Sequence, residues 1–236
     1  MIFDFHIHSK YSFDSILEPK KIIKVAKKKG LDGVAITDHN SIKGSLDAQK
    51  INKDQDFLVI AGSEIGTEIG DIIGLFLTEE IKSRNSIEVI DEIHEQDGIV
   101  VLPHPYRGHE IDELREILDR IDLIEVFNAR NNELQNRKAG ELATACKMHT
   151  TAGSDAHFCS EIGLGRTIIK NGCDIEDVRL KLLKGEVEIV GVYSPAYWQP
   201  LSQMIRAVKM KNYKNMVFQF YSLLKLAKNR WKDEDE

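Results

Sequence analysis

The 236-residue chain is 42% hydrophobic and 30% charged, a globular composition that excludes wholesale disorder. Its three cysteines, Cys146, Cys159 and Cys173, are too few and too scattered for a disulfide framework or a thiolate metal site, and no apolar run reaches the roughly 18 residues that span a membrane. The formal net charge of −6 argues against a nucleic-acid partner only on its face: residues 201–232 hold eight basic residues and no acid, which leaves residues 1–200 with a net of −10.

The chain enters a strand-like segment directly, Ile2–His8, with no signal peptide, so a cytoplasmic setting is expected. A helix is expected over 19–29, with Pro19 in its first turn and Gly30 at its end. Strand Gly33–His39, helix 43–53 and strand Phe57–Glu64 follow. Gly62–Leu77 reads as strand, turn, strand, which predicts a local hairpin. The alternation then resumes with helix 85–97 stopped by Gly98, strand Ile99–His104, helix 111–120, strand Leu123–Asn128, helix 132–147, strand Thr150–Asp155, strand Arg166–Lys170 and helix 174–184. About seven strand–helix units point to a parallel α/β architecture, and a closed (β/α) barrel suits that number better than an open sheet. Residues 186–198 are expected to close it as a short strand or loop. The barrel is assigned to 1–198, and 199–236 to a basic helical extension with an acidic end, containing helices over 201–211 and 213–230. The apolar stripe Tyr213, Val217, Phe220, Leu224 and Ala227 is expected to cover the barrel or a neighbouring subunit. The lysines offer a second use, a docking arm for nucleic acid or an anionic membrane surface.

The polar residues that end the strands form a pattern. Asp4, His6 and His8 alternate along the first strand and so share one face. His39 ends the second strand, Glu64 the third and His104 the fourth, while Asp155 and His157 repeat the two-residue spacing on a later one. In a (β/α) barrel these ends form a single face, where active sites are found. Imidazole with carboxylate and no thiolate suits Zn²⁺, Mn²⁺ or Fe²⁺ in an open site. The number of ligands exceeds the need of one ion, so two or three ions with a bridging carboxylate are expected. His94 and His149 read as structural residues, and His109 is open between the two readings.

At these residues the sequence resembles the PHP (polymerase and histidinol phosphatase) family. Asp4-Phe5-His6-Ile7-His8-Ser9, Thr37-Asp38-His39-Asn40, Pro103-His104-Pro105 and Gly153-Ser154-Asp155-Ala156-His157 match its four motifs in order. The resemblance implies a stand-alone member with a distorted (β/α)7 barrel, up to three divalent ions and phosphoester hydrolysis. Carried over, it gives His6, His8, Glu64 and Asp155 to the first ion, Glu64 and His104 to the second, and Asp14, His39 and His157 to the third. Relatives with a histidine after the bridging glutamate differ from this chain, which has Asp71 in Gly70-Asp71-Ile72-Ile73-Gly74. Asp71 is expected either as an oxygen ligand favouring harder ions such as Mn²⁺, or as a supporting or turn residue.

The reaction expected is in-line attack of a metal-activated hydroxide on phosphorus, with arginine neutralising the transition state. Arg107 is the first candidate clamp because guanidinium binds phosphate bidentately; Arg130 and Arg166 are further candidates, and His109 or water would protonate the leaving alkoxide. The expected substrate is a small phosphomonoester or an oligonucleotide end. Competing readings are an exonuclease or ribonuclease acting on nucleic acid through the basic C-terminal helix, a non-catalytic metal-binding module, and an amidohydrolase-like enzyme acting on C–N or C–O bonds.

Overall fold

A computed structural model describes residues 1–107, 114, 117–172 and 174–233. Nine strands, β1 (Ile2–Ile7), β2 (Gly33–Ile36), β3 (Leu58–Thr67), β4 (Gly70–Leu75), β5 (Ile99–Leu102), β6 (Leu123–Asn128), β7 (His149–Gly153), β8 (Gly165–Ile169) and β9 (Val187–Gly191), form one sheet in the order β7-β6-β5-β4-β3-β2-β1-β8-β9. The seven helices of the described residues are α1 (Pro19–Lys28), α2 (Lys43–Ile51), α3 (Ser86–His94), α4 (Glu133–Cys146), α5 (Ile175–Leu183), α6 (Trp198–Lys209) and α7 (Tyr213–Asp233). The helix expected over 111–120 lies largely outside the described residues, apart from a 3₁₀ turn at Leu118–Arg120.

The sheet curls into a nearly closed, distorted barrel. β1–β2, β2–β3, β5–β6 and β6–β7 pair in parallel. The predicted hairpin is β3–β4, and β4 then runs antiparallel to β5 as well. β8 is antiparallel to both β1 and β9. β4, the second strand of the hairpin, and β9, within the expected 186–198 segment, bring the seven runs of the alternation to nine strands. Closure comes at a parallel bridge between Ile7 and Ala156, beyond the end of β7. Gly153 permits it: a Cβ there would lie 2.2 Å from the Cβ of His6, so only glycine lets β7 come that close to β1.

Side chains sort by the strand period. Val34, Ile36 and Val59 pack with Ile22, Ile23 and Ala26 of α1 and Ala48 of α2. The alternating residues Ala35 and Ile60 join Phe3, Phe5, Ile99, Val101 and Leu123 in another cluster, which includes Val178 and Leu182 of α5. α1 begins with Pro19 in its first turn and is followed by Gly30 at φ +74°. α4 opens with a reciprocal capping box, Asn132 with Gln135.

Of the two uses expected for the α7 stripe, covering the barrel is not the one it serves: Tyr213, Val217, Phe220 and Leu224 are 50–65% exposed. The half-buried side carries Asn215, Met216, Gln219, Ser222 and Leu223 instead, with Gln219 Nε2 donating to Asn215 Oδ1.

Candidate metal centre

The strand ends converge on Glu64. Its Oε1 lies 2.9 Å from His104 Nε2; its Oε2 lies 3.3 Å from His8 Nε2, 3.5 Å from His6 Nε2 and 3.2 Å from His39 Nδ1. One carboxylate from β3 therefore faces imidazoles from β1, from the end of β2 and from the end of β5. Asp155 Oδ1 lies 3.2 Å from His8 Nε2 and 3.7 Å from His6 Nε2. Asp14 Oδ2 lies 3.3 Å from His39 Nε2 and 3.1 Å from His157 Nε2. Apart from His39 and Asp71, all nine residues proposed from sequence as ligands are buried, and every one falls in at least one compact group. The groups are His8, Asp14, His39 and His157; His6, His8 and Glu64; His6, His104 and Asp155; and His39, Glu64 and Asp71. Asp71 thus falls beside His39 and Glu64, brought there by the β3–β4 hairpin that sets it opposite Gly66.

A tier of hydrogen bonds fixes the imidazoles. His6 Nδ1 lies 3.0 Å from Glu125 Oε1, and a carboxylate can only accept, so this nitrogen carries the proton. The Ser12 hydroxyl donates to Asp38 Oδ1 and accepts from the backbone N–H of His39, so at 3.0 Å it accepts from His8 Nδ1 too. Both Nε2 atoms then present lone pairs, 3.1 Å apart and beside two carboxylates. That arrangement is repulsive unless a proton or a cation sits among them. Asp14 Oδ1 and His104 Nδ1 are also buried without a hydrogen-bond partner among the described residues. Orphaned acceptors and convergent lone pairs are what a cation requires, so the donor set fits divalent metal.

The electrostatics agree. Burial alone would raise the Glu64 carboxyl, but His39, His6 and the hydrogen bond from His104 hold it well below the usual range. Burial likewise opposes ionisation of Asp155, and Arg107 with His6 and His8 outweighs it. For Asp14 the same contest is won by His157 and His39. Burial would depress His39, yet Glu64 and Asp14 raise it to about 9. His8 falls to about 3, through burial and the neighbouring His157 and His39. Without metal, protons on His39 and His6 serve as the counter-charge.

Asp4 does not join the cluster. It accepts from the backbone N–H and hydroxyl of Ser154 and from the N–H of Gly163, which places the residue preceding Asp155; burial outweighs these bonds and raises its carboxyl to about 6. His104 (φ +29°) and Asp155 (φ +54°) both sit in the left-handed region, a strained conformation typical of functional positions. His94 pairs with Asp122 away from the cluster.

The cluster floors a cavity of about 370 Å³. Arg107 reaches Asp155 Oδ2 and, at 3.3 Å, Asn128 Oδ1. Arg130 also lines the cavity, but its Nε and Nη2 each donate to Glu161 at 2.8 Å and its Nη1 to Ser202 at 3.0 Å. Arg166 Nε donates to the Gly163 carbonyl, outside the cavity. His109 lies outside the described residues. Sequence reasoning missed Glu125, and it missed Gln199, Gln203 and Arg206 of α6, which form part of the cavity wall. An acid inside the apolar run of β6 was the available signal for Glu125; no local pattern marks α6.

α6 is tied down at several points. Lys209 Nζ donates to the carbonyls of Lys10, Ser12 and Ser15 at 2.6–2.9 Å, gripping the loop that carries Asp14. The Arg206 guanidinium lies 4.6 Å from the ring centre of Phe13, and Phe13 stacks on His39 at 4.3 Å. Trp198 stacks on Phe158 at 4.4 Å.

Two proteins of Methanocaldococcus jannaschii, both named only as uncharacterized, are similar in sequence. One is 44% identical over 147 residues, covering 55% of this chain and 83% of the relative. The other is 37% identical over 171 residues, covering 68% and 67%. Among solved structures, a two-domain Bacteroides vulgatus protein containing a predicted PHP-like metal-dependent phosphoesterase superposes with a TM-score of 0.71 at 18% identity. The match covers 81% of this chain and 65% of that protein's length, so the likeness is one of fold. The family model described as PHP domain matches residues 4–161, the span that supplies every residue of the four compact groups, and the chain belongs to the PHP domain family.

Proposed function

We propose that this protein is a metal-dependent phosphoesterase acting on small phosphomonoesters. The observation that carries the reading is the opposed pair of His6 and His8 lone pairs beside Glu64 and Asp155, with both outer ring nitrogens already engaged. His6, His8, Glu64 and Asp155 would hold one ion, Glu64 and His104 a second, and Asp14, His39 and His157 a third, with Asp71 beside the last two groups. Mn²⁺, Zn²⁺ or Fe²⁺ held there supplies Lewis acidity toward phosphoryl oxygens and makes a water acidic enough to react near neutral pH.

The chain's own residues do the positioning. Glu125 fixes His6 by accepting at Nδ1, and through its other oxygen accepts the backbone N–H of His104 at 2.9 Å. Asp38, through Ser12, does the same for His8. Arg107 brings its positive charge to the cavity wall beside Asp155, where it opposes the charge of a phosphoryl group. Arg130 acts as a positioning residue: its guanidinium is held by Glu161, whose Oε2 also accepts from the backbone N–H groups of His157 and Phe158. A cavity of about 370 Å³ suits a small ester better than a duplex. The phosphoesterase named in the Bacteroides protein supports the same chemistry.

The test is phosphate release by the purified protein with Mn²⁺, Zn²⁺ or Fe²⁺. The substrates are sugar phosphates, nucleoside monophosphates and 5′-labelled oligonucleotides, with amides and lactones as the contrasting panel. Monoester hydrolysis that is lost in the double variant His6→Ala, His8→Ala is expected. Undiminished hydrolysis in that variant, or turnover confined to amides and lactones, would overturn the proposal.

A further inference from the structure

Three arginines line the cavity, and they differ in what they already hold. Arg107 is paired with Asp155, and Arg130 is taken up by Glu161 and Ser202. Arg206 makes no ion pair among the described residues and instead lies over the ring of Phe13. Phe13 lies flat on His39, with 1° between the planes, and the Arg206 guanidinium carbon lies over the same ring, 4.6 Å from its centre. A cation held over an aromatic ring keeps its N–H donors for an acceptor. Beside it on the same helix, Gln199 and Gln203 bring amide donors to the wall.

We infer that Arg206 is an anion-recognition residue for the leaving-group side of the substrate, so that the preferred esters are small phosphomonoesters whose alcohol carries a second anionic group. The inference rests on the phosphoesterase reading of the site. Its logic is one of position and charge. The transferred phosphoryl group belongs over the histidine and carboxylate cluster near Arg107. A substrate filling the cavity from there to α6 meets an arginine that forms no ion pair with a carboxylate of the described residues. A neutral alcohol would leave that charge to water. Arg206 is exposed at the cavity's rim, and a carboxylate or second phosphate would engage it through charge-assisted hydrogen bonds.

A three-carbon series tests this with little change in size: glycerol 3-phosphate, 3-phosphoglycerate and glycerol 1,3-bisphosphate, assayed by phosphate release with Mn²⁺. The wild type is expected to prefer the two esters with an anionic tail in kcat/KM, and the two arms distinguish a carboxylate from a phosphate as the recognised group. Arg206→Ala should reduce that preference, taken as a ratio to glycerol 3-phosphate, by about 2- to 5-fold, the loss of one exposed charge-assisted contact. Arg206→Gln repeats the test at nearly the original side-chain length should the alanine variant fail to fold. A merely structural role would lower all three substrates together and leave the ratio unmoved, and that result overturns the inference while leaving the phosphoesterase reading intact. Failure of the wild type to hydrolyse any of the three, or any ester of the wider panel, overturns both.

Discussion

Glu125 shows how much one buried acid can organise. It is 2% exposed, and its two oxygens accept from His6 Nδ1, the backbone N–H of His104 and Asn128 Nδ2. Ligands from two different strands therefore take their orientation from it. Glu125→Gln keeps the shape but removes the charge that makes His6 a better donor to metal. The expected outcome is a loss of about 10- to 100-fold in metal affinity, measured by competition with a chromophoric chelator. Affinity equal to wild type would show that His6 is oriented by other contacts. The clustered histidines and carboxylates are readable in sequence because the strand period of two aligns His6 with His8 and brings Asp155 and His157 to one strand end. Glu125 is not readable in that way: a lone acid in Leu123–Asn128 carries no spacing signature, and its role depends on β6 lying close to β1 across the barrel. Asp4 illustrates the opposite error. It shares the alternation of His6 and His8, yet Ser154 and Gly163 claim its oxygens.

At the scale of elements, α6 is the least foreseeable part of the site. Periodicity predicts a helix near 201–211, but nothing local predicts that it returns across the cavity. Its C-terminal end holds the Asp14 loop through Lys209, whose ammonium lies against three backbone carbonyls. Lys209→Met keeps the aliphatic stem and removes the donors. The loop should loosen at a cost of about 1–3 kcal/mol, and the group of Asp14, His39 and His157 should lose occupancy first. Elemental analysis after dialysis is the measurement, with fewer ions per chain than in wild type as the expected result. A variant with full metal content would show that the loop holds Asp14 unaided. The β3–β4 hairpin is a contrasting case, readable from Gly62–Leu77 because a missing helix between two apolar runs leaves little else for the chain to do. What the pattern does not convey is that the hairpin sets Asp71 beside His39 and Glu64.

For the whole molecule, the parallel alternation was enough to anticipate a barrel, and the hairpin and residues 186–198 supply its two further strands, whereas closure through Gly153 depends on contacts distant in sequence. The net charge of −6 includes carboxylates concentrated in one buried cluster: Asp14, Glu64 and Asp155 are each no more than 3% exposed. Ions that bind only the folded chain stabilise it by about 4 kcal/mol at a thousand times their Kd. Removal of metal with a chelator should therefore lower Tm by several degrees, and readdition of Mn²⁺ or Zn²⁺ should restore it. A Tm indifferent to both treatments would mean that the cluster is held together by protons alone. No helix of the described residues is long and apolar enough to cross a membrane.

The order of parts along the chain carries a consequence for how the centre is assembled in time. The four ligand groups draw on residues between His6 and His157, whereas the α6 wall begins only at Trp198. At synthesis rates of about 5–20 residues per second, a ribosome needs roughly 3–10 s to pass from His157 to Lys209. During that interval the residues of the four groups have been made and the α6 wall has not. The wall is therefore the last part of the cavity lining to be added, and it narrows the mouth over groups already synthesised.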